Sequence, residues 1–166
     1  HKFEGIPENG TVLENPDKLA EELKLAVQTA KINTSNAAIA IPVTSAIIRV
    51  VTAPLMTDEE LATAIKSDSL WENLVQLTDN LEDYSIFHQV INRDSTANTM
   101  EILFVASKLS DINSYTDIIK KGGMNAVIID VKCFALKSAV DQINQIGGTI
   151  EESNLTTVLE FGLDEN

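Results

Sequence analysis

The stretch Asn36–Leu61 constrains this chain most. It holds two apolar runs, Ala37–Val43 and Ser45–Ala53, separated by a single residue, then a proline break, then a strongly marked helix start. Ile39, Ile41 and Val43 alternate with alanines, the pattern of a strand covered on both faces. Pro42 lacks an N–H, so it belongs at a sheet edge or a strand end. Thr57-Asp58-Glu59-Glu60 reads as a capping box, in which the threonine hydroxyl and the second glutamate each satisfy an orphan backbone donor. The helix it opens runs to about Asn73, with Leu61, Ala64, Ile65 and Trp71 as its buried set. None of this is a catalytic motif.

The remaining segments continue the alternation. Asn15-Pro16-Asp17 announces an earlier helix, with Asn15 as cap and Pro16 at the first helical position. Leu19, Leu23, Ala26, Val27 and Ala30 share one face of that helix, which ends near Lys31. Glu82–Ile91 and Thr99–Ala106 predict an antiparallel strand pair, joined by a polar, mobile loop over 92–98. Ser110 caps a helix that carries Ile112, Tyr115, Ile118 and Ile119 inward and stops at Lys120-Lys121-Gly122-Gly123. Asn125–Val131 is a strand, Lys132–Ile146 a helix with Phe134, Ala135, Ala139, Val140 and Ile143 available to a core, and Leu155–Phe161 the last strand. The order predicts an α/β to α+β fold, a mixed sheet with packed helices.

Composition narrows the function classes. A chain of 166 residues with 44% hydrophobic content can bury a sizeable core. A formal net charge of −13 repels phosphate backbones and anionic membrane surfaces, so neither nucleic acid nor a lipid leaflet is the expected partner. No apolar run is long enough to span a bilayer, so direct membrane insertion is not expected. The start at His1-Lys2 reads as a piece of a longer protein.

The chemistry-bearing residues are sparse. His1 and His88 are too far apart to suggest a metal set, and the one cysteine, Cys133, sits between Val131 and Phe134 as a buried thiol. Asp58-Glu59-Glu60 suits the positive end of a helix better than an acid/base cluster. In Lys120-Lys121-Gly122-Gly123 the glycines follow a helix, which presents the wrong dipole end to a phosphate. Glu160-Phe161-Gly162 ends a strand in a tight turn that can aim backbone donors at a phosphate, although so common a pattern is better explained as an ordinary hairpin turn. No Walker, dinucleotide, HExxH or GxSxG pattern is present.

Taken together, Ala38–Pro42, Ile47–Arg49 and Ala53–Leu61 resemble the opening strands and capped helix of the PilM family, actin-like cytoplasmic proteins of type IV pilus assembly. Glu82–Ile86, Ile102–Lys108, Ile128–Val131 and Phe134–Leu136 resemble later segments of that family in the same order, covering most of residues 11–162. Two features depart from it. Asn73–Leu77 stands where the family has a proline-containing element, and the family's amino-terminal phosphate loop is missing.

The resemblance implies a partial actin-like (FtsA/PilM-like) fold in three parts. Residues 1–34 would supply a flanking segment and helix of an actin-like lobe, 35–131 would form an extra strand–helix–strand–strand subdomain, and 132–166 would return to the lobe as a helix and strand. It implies an interaction module that docks the short cytoplasmic tail of a PilN-like inner-membrane protein, alongside other platform proteins of the pilus, at the cytoplasmic face of the inner membrane. Ile41, Pro42, Leu61 and Ile65 are the residues expected to line that docking site. ATP and magnesium belong to the intact family members. This chain holds only Glu160 and Gly162 as a partial second phosphate loop, so no cofactor and no enzymatic activity are expected of it alone. The alternatives are a fragment of a nucleotide-binding actin-like ATPase, or of a related type II secretion or cell-division protein.

Overall fold

The computed structural model describes residues 12–66, 69–75, 77, 79–147 and 158. The elements run α1 (Pro16–Thr29), β1 (Asn36–Ile41), β2 (Ile47–Pro54), α2 (Asp58–Lys66), α3 (Ser69–Leu74), β3 (Tyr84–Asp94), β4 (Thr99–Lys108), α4 (Leu109–Lys121), β5 (Asn125–Val131) and α5 (Lys132–Gly147). The predicted helix over 57–73 is divided into α2 and α3 on either side of residues 67–68. The last predicted strand, Leu155–Phe161, falls outside the described residues except for Val158.

The chain forms two compact units, residues 44–112 and the described part of 1–43 with 113–166. The continuous unit is narrower than the 35–131 segment read from the sequence. Parallel and antiparallel pairing, both expected of an α/β to α+β chain, fall into separate sheets. The two apolar strands of the Asn36–Leu61 stretch therefore part company.

In the discontinuous unit, β1 pairs with β5 in parallel, from Asn36↔Asn125 to Ile41↔Val131, with a register shift after Ala37. Among the described residues, Ile41, Val131, Ala20 of α1 and Ile118 of α4 are its buried apolar residues. Pro42 follows β1 directly, where its missing donor costs no ladder bond. Gly122 lies against α1: a Cβ there would come within 2.7 Å of a Leu23 methyl carbon.

The continuous unit is a three-stranded antiparallel sheet in the order β2-β4-β3, with α2 and α3 on one face. The capping box forms as the sequence requires. Thr57 N–H donates to Glu60 Oε2 at 2.8 Å, and Glu60 N–H donates to Thr57 Oγ1 at 3.2 Å. The β3–β4 connection is tighter than predicted, because β3 runs on to Asp94 and leaves only residues 95–98 as a turn before β4 begins at Thr99. Asp94 Oδ1 accepts from the amides of Thr96 at 2.8 Å and Ala97 at 3.0 Å, and Asn98 takes the left-handed conformation at φ 54°. The Asn98 carbonyl then accepts from Leu55 N–H at 3.0 Å, tying the turn to the end of β2. An aspartate-anchored turn replaces the loop.

Other local expectations need correction. Asn15 makes no side-chain cap bond; its carbonyl accepts from Leu19 N–H, and Pro16 supplies the N-terminal signal. Ser110 lies within the first turn of α4, its hydroxyl turned to Asp111, so it is not the cap.

Both α1 and α4 end in the same hydrogen-bond pattern. Lys31 N–H donates to Gln28 O and Ile32 N–H to Val27 O; Gly123 N–H donates to Lys120 O and Met124 N–H to Ile119 O. The pattern requires a left-handed residue, supplied by Lys31 at φ 52° and Gly123 at φ 87°. The lysine carries a Cβ penalty that glycine avoids, partly offset by glycine's greater loss of chain entropy on folding. Lys31→Gly should therefore stabilise the protein by about 0.5 kcal/mol, and Gly123→Ala should destabilise it by about 1 kcal/mol, read from urea unfolding midpoints.

Candidate interaction surface

The continuous unit has a sealed face and an open one, set by strand alternation. On β4, Met100, Ile102, Phe104 and Ala106 point to the helices and are at most 1% exposed. Their cross-strand partners on that face include Ala53, Val51 and Ile47 of β2 and Val90, His88 and Ile86 of β3. Leu61 of α2 and Trp71 of α3 close over them, with the Trp71 ring centroid 5.0 Å from Phe104 and 5.7 Å from His88. His88 is thus a half-buried ring packed on an indole.

The other face presents the intervening residues. Val50, Leu103 and Gln89 form one cross-strand row, and Ile48, Val105 and Phe87 the next. Val105 is buried and Leu103 half-buried on the central strand, whereas Val50 and Phe87 on the edge strands are 56% and 57% exposed. The helices α2 and α3 leave this face uncovered. Its apolar residues were hidden in plain sight, because β3 and β4 carry neighbouring apolar pairs such as Ile86-Phe87 and Phe104-Val105, and sequence alone does not say which member faces the helices.

Charge is sorted between the two faces. Arg49, Arg93, Lys108 and His88 all fall in rows of the helix-covered face, while Glu101 and Asp94 fall in rows of the open one. Arg93 pairs with Asp58 in the first turn of α2. Lys108 Nζ lies 2.7 Å from Asp79, which also accepts a hydrogen bond from the Tyr84 hydroxyl at 3.1 Å. The hydrogen bond from Lys108 to Asp79, followed by the Asp79 charge, holds the ammonium above its ordinary pKa. Exposed pairs of this kind contribute little to stability.

The residues predicted to dock a partner are mostly spent on packing. Ile41 is 2% and Leu61 5% exposed, and Ile65 is half-buried against the helix-side core. Pro42 is half-buried. Ile41 and Pro42 belong to one unit, Leu61 and Ile65 to the other. Glu160 and Gly162 lie outside the described residues.

Cys133 is exposed rather than buried, because it falls in the first turn of α5 on the side of a hollow of about 320 Å³ that it lines with Val43, Leu136, Val140 and Val158. Ile143, predicted to face a core, is 67% exposed. Among the described residues no group of three His, Cys, Asp or Glu side chains could hold a metal, and no helix is long and apolar enough to cross a membrane.

A family profile described as "Type IV pilus assembly protein PilM" matches residues 4–165. Among solved structures, a chain of the "PilM-PilN type IV pilus biogenesis complex" matches with a TM-score of 0.61 at 18% identity, over 85% of this chain and 41% of that one. The likeness is one of fold, and this chain spans about two fifths of the length of that relative. No curated protein matches.

Opposite substitutions on the sheet test its one-sidedness. Phe104→Ala should cost about 3–5 kcal/mol in urea unfolding, whereas Phe87→Ala should cost less than about 1 kcal/mol. Comparable costs would mean that both faces are sealed.

Proposed function

Because the chain belongs to the PilM family of type IV pilus assembly proteins, we propose that it is an interaction module of the pilus assembly platform and helps dock the short cytoplasmic tail of a PilN-like membrane protein. The observation that carries this reading is the profile match over residues 4–165. A related chain of the same fold comes from a PilM-PilN complex, which favours a PilN-like partner over others. The module works at the inner face of the membrane that anchors its partner.

Charged groups among the described residues pair at the surface, as Lys121 does with Asp17 at 2.6 Å and Lys137 with Asp141 at 2.5 Å. ATP and magnesium are proposed as ligands of the intact protein. Recognition of a short tail uses either an apolar groove or a free sheet edge.

The test is calorimetric titration of the chain with a synthetic peptide of the cytoplasmic tail of the PilN-like protein encoded by the same organism. Saturable binding is expected, with none to a peptide of the same composition in shuffled order. ATP with magnesium should leave the melting temperature unchanged, since a ligand that binds only the folded state raises it. Absence of tail binding together with nucleotide stabilisation would replace this reading with that of a nucleotide-binding fragment.

A further inference from the structure

We draw no further inference here: the strongest candidate, the outer edge of β3 with Phe87 and Ile91 exposed, has a register shift between Val90 and Asn92 in its ladder, and nothing among the described residues shows what would pair with it.

Discussion

The continuous unit depends on the seat of Trp71 over Phe104. Trp71 is 1% and Phe104 0% exposed, and their ring centroids lie 5.0 Å apart in a tilted arrangement that suits the ring quadrupoles. α3 has only six residues, far too few to persist as a helix alone, so the tryptophan anchors it to the sheet rather than the reverse. Val75, just beyond α3, and Leu61, in α2, complete the same layer. A small sheet of three strands gains enough buried apolar surface from this layer to fold one-sided. The open side is then a consequence: two helices suffice to cover one face, and the apolar residues of the other remain available for contact.

The local devices around this seat hold the helices and turns in register. The Thr57–Glu60 box fixes where α2 begins, immediately after the chain leaves β2 at Pro54. The aspartate turn fixes β3 against β4, and its Asn98 carbonyl reaches back to Leu55. The C-terminal end of β2 is thereby positioned by side chains that are themselves exposed.

Local signals in the sequence proved readable where one residue type has one physical use. The capping box, Pro16 at a helix start, Gly123 in a left-handed cap and Trp71 in the core all follow from single-residue chemistry. Long-range choices did not follow. β1 and β2 look like successive strands of one sheet, yet β1 pairs with β5 and β2 with β4, because pairing is decided by partners about 90 and 50 residues away. Cys133 and Ile143 look like core residues on apolar periodicity, but α5 offers more apolar positions than its neighbours among the described residues cover. The docking residues drawn from the family resemblance, Ile41 and Leu61, are buried, while Val50 and Phe87 stand exposed without any motif to mark them. Alternation told where a sheet lies and left open which of its faces is sealed.

The central claim is that the helix-covered face of this sheet is sealed along its central strand while Val50 and Phe87 stand exposed at the edges of the other face, and Val50 and Val51 put it to the test side by side. Val50 is 56% exposed and Val51, its neighbour on the opposite face, 8%. The measurement is paramagnetic broadening of methyl NMR signals by a freely diffusing nitroxide. The account predicts strong broadening at Val50, with Val51 and Ile102 protected. Equal protection of Val50 and Val51 would contradict it, since Val50 would then already be covered by the protein itself.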